Sequence, residues 1–344
     1  MPDRTMLDLI TPPDFRIDQI DDARSRAAGV TLRIARLDLI DADINGNKWY
    51  KLCCNLQQAR VLGVKRLVSF GGAWSNHLHA LAASGARFGF ETVGIVRGEP
   101  AHGLTPTLAD ARRFGMQLHF VDRSEYRLRD DGGYLQRLAL RFAPCLIIPE
   151  GGSNDAGVDG CELLAAQLKS HCDAGFDAAG VDISHTANHV ALACASGGTV
   201  SGLARGLGDN VGLHAICVLH AADTIRQMLT RHAPSAQCRT NIVTGYEFGG
   251  YAKVSPALLH FVAAFETATG VALEPVYTGK ALFGLYDMIE KGVFARGSRI
   301  LFVHTGGRQG RRGWDGRVTG QYNSTGRDRV LYNDNNYSTT GTAS

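Results

Sequence analysis

The sequence predicts an α/β protein in which mostly parallel sheets are flanked by helices on both faces. Three observations carry this. Short apolar runs alternate with amphipathic stretches of helical period along most of the chain, the pattern of repeated strand–helix units. The chain has 344 residues, 41 of them Gly, which is length for two domains and glycine for many tight turns. Several of the apolar runs end in a polar, Gly-rich turn that leads into a helix, and in such sheets ligands bind where strand ends meet helix N-termini.

Composition narrows the classes of function. The residues are 44% hydrophobic and 20% charged, net charge is +3, and the sequence pI is about 8.4. That balance calls for neither a nucleic-acid nor a membrane partner. No apolar run reaches a membrane span, and Met1-Pro2-Asp3-Arg4 leads into no hydrophobic signal region. The eight Cys form no Cys-x-x-Cys pair, which argues against zinc and for reduced thiols in a cytoplasmic protein.

In chain order, residues 1–30 read as irregular. Thr31–Leu39 alternates apolar and polar as a strand does, and a helix is expected from Lys48 to Leu62. Strands at Arg66–Phe70, Glu91–Val96, Met116–Val121 and Cys145–Ile148 alternate with helices at Ser75–Phe88, Thr105–Phe114 and Gly133–Phe142. Pro149–Asn154 is a long turn suited to a domain junction. Beyond it come a helix at Gly157–Ser170, a loop over Cys172–Thr186 and a buried strand at Val190–Cys194. A helix then runs to Leu207, followed by a strand at Leu213–Leu219 and a helix at Ala222–Arg231. Helices at Pro256–Thr267 and Leu282–Glu290 precede the last strand, Arg299–Val303. The tail from about Trp314 is rich in Asn, Gly, Ser and Thr and is expected to be disordered.

Five places could carry chemistry. Lys48 follows the turn Asn45-Gly46-Asn47 where a loop becomes a helix. It is either a solvated charge or, if desolvated, a nucleophilic amine. In Gly71-Gly72-Ala73-Trp74-Ser75-Asn76-His77, Ser75 and Asn76 either cap a helix or present its N-terminus to an anion. Ala195-Ser196-Gly197-Gly198-Thr199, between a buried strand and a helix, is either a plain tight turn or a phosphate cradle. It lacks the P-loop Lys and fits the dinucleotide fingerprint poorly, which favours a small phosphorylated cofactor. Tyr251, after Gly249-Gly250, and Tyr277-Thr278, before a helix, are packing or catalytic residues.

These motifs, in this order, resemble a pyridoxal-phosphate enzyme of the tryptophan-synthase-β type. More narrowly they resemble the 1-aminocyclopropane-1-carboxylate (ACC) deaminase and D-cysteine desulfhydrase group, over Asp38 to Arg312. The resemblance rests on Gly46-Asn47-Lys48 with Lys51, Gly71-Gly72-x-x-Ser75-Asn76, Cys194–Thr199, Pro275-Val276-Tyr277-Thr278-Gly279-Lys280 and His304-Thr305-Gly306-Gly307. It implies two domains with the cofactor in the cleft between them: a large one of residues 1–51 and 151–315, and a small one of 52–150. It implies that Lys48 forms the Schiff base with pyridoxal 5′-phosphate and that Lys51 supports it. Asn76 would bond the cofactor's 3′-oxygen, and Ala195, Ser196, Gly197, Gly198 and Thr199 would hold the phosphate. Ser75, Asn76 and the backbone at His77 would meet the substrate, with Tyr251 and Tyr277 beside it. Thr278 would face the pyridine nitrogen, where ACC deaminases have a Glu. That difference points to the D-cysteine desulfhydrase branch, and the resemblance as a whole implies a small amino-acid substrate and a homodimer.

Overall fold

The computed structural model describes residues 10–99, 103–172 and 188–314. The loop expected over Cys172–Thr186, beyond its first residue, and the tail beyond Trp314 lie outside them. The chain begins with β1 (Ile17–Ile20), α1 (Ala23–Ala28), β2 (Thr31–Arg36) and α2 (Asn47–Val61). It continues through β3 (Arg66–Gly71), α3 (Asn76–Phe88), β4 (Glu91–Arg97), α4 (Pro106–Arg113), β5 (Gln117–Val121), α5 (Arg123–Tyr126), α6 (Gly132–Arg141) and β6 (Cys145–Ile148). Then come α7 (Asp155–Cys172), β7 (His189–Cys194), α8 (Gly198–Gly206), β8 (Gly212–Cys217), α9 (Ala222–His232) and β9 (Thr240–Val243). The described chain closes with α10 (Pro256–Thr269), α11 (Thr278–Glu290), β10 (Arg299–His304) and α12 (Arg308–Arg311).

The strands make two sheets. One has six strands in the order β1-β2-β10-β7-β8-β9, the other four in the order β5-β4-β3-β6. Among the described residues every pairing is parallel except β1 with β2. Parallel strands are covered on both faces and need unbroken apolar runs. β3 (RLVSFG) and β10 (RILFVH) are such runs, buried over all but their first residue. Because β2, β10, β7 and β8 run the same way, Arg36, His304, Cys194 and Cys217 end along one edge. The loops that follow them share that edge.

The sequence reading differs from the structure in several places, among them these. The stretch read as irregular holds β1 and α1; Asp22 caps α1 by accepting from the Arg24 and Ser25 amides. The strand read through Leu39 stops at Arg36, because Asp38 folds back onto the Arg36 guanidinium at 2.8 Å and the chain turns there. β9 went unread: it is a four-residue edge strand, too short for a period to show. The helix read from Leu282 starts at Thr278, since Thr278 and Gly279 carry weak helix propensity that local hydrogen bonds override.

Helix α2 is held from two directions. Its inner face packs on α7 so closely that a Cβ on Gly160 would stand 1.8 Å from the Tyr50 carbonyl oxygen. Tyr50, Leu52 and Leu56 of α2 are almost wholly buried, each contributing about 2 kcal/mol by leaving water. Its start is threaded between the ends of β2 and β10. The Gly46 amide donates to the Leu37 carbonyl and the Asn47 amide to the Thr305 carbonyl, both at 3.1 Å. Asn45 donates to the Asp38 carbonyl at 2.7 Å and accepts from the Gly307 amide at 3.1 Å. Gly46 sits at φ 68°, ψ −149°, a region open essentially to glycine alone, and a Cβ there would stand 2.1 Å from the Thr305 carbonyl oxygen. Gly46→Ala is therefore expected to destabilise the fold by about 3 kcal/mol or more, read as a lowered urea midpoint with an unchanged slope.

Candidate active site

A cavity of about 540 Å³ opens between the carboxyl ends of the two sheets. Ten of the residues singled out from the sequence line it: Lys48, Ser75, Asn76, His77, Ala195, Ser196, Gly197, Thr199, Tyr251 and Tyr277. Segments more than 200 residues apart in sequence thus meet around one space. Two singled-out residues are absent from the wall. Gly198 lies behind it, where a Cβ would stand 3.1 Å from both Lys51 Nζ and Ser153 Oγ. Thr278 is fully buried, and its hydroxyl accepts from the Glu274 amide at 2.9 Å and donates to the Glu274 carbonyl at 3.2 Å. The resemblance implies that Thr278 faces the pyridine nitrogen; in the structure its hydroxyl is satisfied on the adjacent backbone, as a Thr at a helix start can be. Thr305, just past the end of the central strand β10, does line the cavity.

The two lysines of α2 have different surroundings. Lys51 is buried and donates to the Gly151 carbonyl (3.0 Å), Ser153 Oγ (2.9 Å) and Ser196 Oγ (3.2 Å). An ammonium has three donors, so Lys51 has none to spare. Burial lowers its pKa, with the Cys161 and Cys194 thiols opposing. Lys48 donates to Asn47 Oδ1 at 2.9 Å. Burial, and then repulsion from Lys51, bring its pKa down from 10.5 to about 7. At neutral pH a large share of Lys48 is a free amine facing the cavity, which is what a nucleophile or proton acceptor requires.

Lys51 stands under the turn that leads from β7 into α8. Ser153 and Ser196 bond each other at 2.7 Å. Gly197, in the left-handed conformation at φ 81°, caps α8 without a side-chain hydrogen bond. The amides at that helix start are therefore available to an anion. Asn47 joins the turn to Lys48: its Nδ2 donates to Thr199 Oγ1 at 2.9 Å while its Oδ1 accepts from Lys48. Hydroxyls, helix amides and a nearby ammonium make a site for a phosphate.

The third group enters from the four-stranded sheet. Ser75 caps α3, accepting from the Leu78 amide at 3.2 Å, and also lines the cavity. Oδ1 of Asn76 is buried with no partner among the described residues. His77 is buried and neutral, its pKa held well below the usual value chiefly by burial and then by Lys48 and Lys51. Ser69 Oγ donates to the Ile148 carbonyl at 2.7 Å, so His77 Nε2, 2.9 Å from that oxygen, carries the imidazole proton. Nδ1 is left as a buried acceptor without a partner among the described residues. Across the cavity the rings of Tyr251 and Tyr277 stand 6.5 Å apart, edge to face. Tyr277 keeps its proton, because burial and the neighbouring Tyr251 and Glu274 raise its pKa.

Three contributors carried no assigned role in the sequence reading. Ser153 stands in the Pro149–Asn154 turn, read there only as a junction. Thr305 stands in a Gly turn whose position at the sheet centre depends on strand order. Glu274 is buried, accepts from the Val276 and Tyr277 amides at 2.6 and 2.8 Å, and has its pKa raised by burial to about 7. It lines a smaller neighbouring cavity together with Asn76, Tyr251 and Tyr277.

Lys48 ought to burden the fold of the protein stripped of ligand. Its folded pKa of about 7 lies below the ordinary 10.5, so between those values the unfolded chain binds the extra proton. The penalty is full below pH 7 and fades as pH rises toward 10.5. Lys48→Met is expected to melt at a higher temperature than the parent at pH 6, and the gap should narrow by pH 9.

Comparison with known proteins agrees with this geometry. A D-cysteine desulfhydrase of Salmonella schwarzengrund is 30% identical over 300 residues, spanning 81% of this chain and 87% of its own. A bifunctional D-cysteine desulfhydrase/1-aminocyclopropane-1-carboxylate deaminase of Arabidopsis thaliana is 28% identical over 300 residues, 82% of this chain and 73% of its own. A solved structure of an ACC deaminase homologue shares the fold, with a TM-score of 0.74 at 23% identity over 93% of this chain and 100% of that one. The pyridoxal-phosphate dependent enzyme family matches residues 49–306, and with three quarters of its length inside that match the chain belongs to this family.

Proposed function

We propose that this enzyme is a lyase that converts D-cysteine and water to pyruvate, ammonia and sulfide. The carrying observation is the pair of lysines: Lys51 is saturated by three protein oxygens, while Lys48 faces the cavity as a partly neutral amine. The residues fit pyridoxal 5′-phosphate. The α8 turn, with Ser196, Thr199 and Ser153, suits its phosphate, and Lys48 suits its aldehyde. The Asn76 amide oxygen, without a partner among the described residues, marks a place where a bound polar group is wanted. When bound, the cofactor supplies an electron sink for the bonds at Cα.

The chain's own residues would do the rest. The substrate carboxylate lies at the start of α3, against Ser75 and the amides at Asn76 and His77. The Lys48 amine, or a tyrosine working with it, takes the Cα proton. The Cβ–S bond breaks, and the leaving sulfur takes a proton from Tyr251 or Tyr277. Tyr277 is a fit donor because it stays protonated near neutral pH.

The preference for D-cysteine rests on the wall toward the six-stranded sheet. There the cavity is lined by the hydroxyls of Ser196, Thr199 and Thr305, while its carboxylates, Asp130 and Glu150, stand toward the four-stranded sheet. With no carboxylate among the described residues of that wall, the cofactor ring is a weaker sink, which suits loss of a β-thiol better than ring opening. The Salmonella relative's name supports the same reading. ACC deamination to 2-oxobutyrate and ammonia is the second reading, supported by Ser75 in the wall. A non-catalytic binder of the cofactor is a third; the depressed pKa of Lys48 favours chemistry over it.

The division into residues 1–51 with 151–315 and residues 52–150 belongs to this proposal. β3 to β6 all fall within the second part, although α2 packs on α7 of the first. So does a homodimer, which sedimentation would test, and a reducing, cytoplasmic setting, supported by seven free cysteines among the described residues.

Sulfide and pyruvate release from D-cysteine, with ACC, L-cysteine and D-serine in parallel, tests the reading. Sulfide from D-cysteine with no 2-oxobutyrate from ACC is expected; the reverse would transfer the enzyme to the second reading. Lys48→Ala should lower turnover by about 10³-fold or more, and Lys51→Ala should instead weaken retention of the cofactor on dialysis. A fully active Lys48→Ala protein would sink the assignment.

A further inference from the structure

One buried cation takes no part in this chemistry. Lys280, in the first turn of α11, is fully excluded from solvent and is not among the residues lining the cavity. Its ammonium donates to the carbonyls of Glu247 (2.7 Å), Gly250 (2.8 Å) and Val218 (3.4 Å). Val218 follows β8, while Glu247 and Gly250 belong to the segment that leads into Tyr251. The same two carbonyls close backbone turns: Glu247 accepts from the Gly250 amide at 2.9 Å and Gly250 from the Lys253 amide at 3.3 Å. One ammonium thus joins two successive turns, with Tyr251 inside the second.

The segment needs such a tie. Phe248 and Ala252 have φ of 52° and 55°, and Gly249 and Gly250 between them have 84° and 113°. Non-glycine residues in the left-handed region persist where their surroundings over-determine them. Those surroundings are one face of α11. The Tyr246 hydroxyl bonds Asp287, its ring packs where Gly284 leaves room, and Phe248 meets Phe283 at 5.4 Å between ring centroids. Residues 280, 283, 284 and 287 share a helical stripe. The two aromatic anchors hold the first half of the segment, and Lys280 holds the half next to Tyr251.

A cation in a helix's first turn opposes the helix dipole, and burying it costs desolvation. A neutral side chain of the same length would fill the space without either penalty. What the ammonium adds is a fixed geometry for carbonyls that otherwise point at one another. Tyr277 stands at the start of the same helix, so α11 fixes one tyrosine through the chain and the other through Lys280. We propose that Lys280 is a positioning residue that holds the Glu247–Ala252 segment so that Tyr251 faces the substrate. This rests on the reading that Tyr251 acts on the bound amino acid.

The test uses the holoenzyme with Lys280→Met, or Lys280→Gln should the first not fold. Amide hydrogen exchange is expected to quicken over residues 249–252 and change little at 246–248. The cofactor absorbance band should be unaltered. Turnover of D-cysteine should fall about tenfold with KM within about twofold, and in a Tyr251→Phe background the same substitution should cost little. Unchanged exchange would overturn the clamp. Quickened exchange with additive losses would overturn the link to Tyr251. Were the parent enzyme to turn over no amino acid, the proposed function would fail, with the link to Tyr251, and the exchange result would still decide the clamp.

Discussion

The arrangement of the site depends on one buried ammonium, that of Lys51. It gathers the Gly151 carbonyl, Ser153 and Ser196, and so binds α2, the crossover between the two sheets and the turn into α8 to one point. An unpaired charge in that place would be strongly destabilising, whereas three well-aligned oxygens offset its desolvation. Once Lys51 is fixed, α2 can neither slide nor rotate. Lys48, one helical turn earlier, is then fixed at the cavity wall, and Asn47 is fixed between Lys48 and Thr199.

The same logic extends outward. The turn at Asn45–Asn47 is woven into the ends of β2 and β10, so the start of α2 is registered against the middle of the six-stranded sheet. Lys280 does for the Tyr251 segment what Lys51 does for the α8 turn. Both are buried cations that organise backbone carbonyls or hydroxyls, and both have their pKa lowered by burial. Lys48 differs because its burial is matched by a single acceptor, Asn47 Oδ1, among the described residues. The cost is borne at the cavity wall, and such costs are a common trade between stability and function.

Most of the strand–helix alternation was legible because buried parallel strands and amphipathic helices leave different periods in a sequence. β1, α1 and β9 were not, since four to six residues at a sheet edge or outside the core carry too little pattern. The site residues were legible as polar turns at strand ends, but their relations were not. Ser75 shows this: its pattern fitted a helix cap and an anion site alike, and in the structure it caps α3 and lines the cavity as well. Thr278 shows the opposite case, a hydroxyl in a telling motif whose hydrogen bonds turn it away from the cavity.

The sequence by itself determined the parallel α/β class, the Gly-rich turns and the pair Lys48 and Lys51, because these depend on local period and residue type. Tertiary structure alone decided which lysine is saturated and which is free, that Thr305 rather than Thr278 reaches the cavity, and that Lys280 holds the loop bearing Tyr251. Each of those follows from contacts between segments distant in the chain. Hydrogen-bond partners and desolvation are properties of such contacts, and no local pattern encodes them.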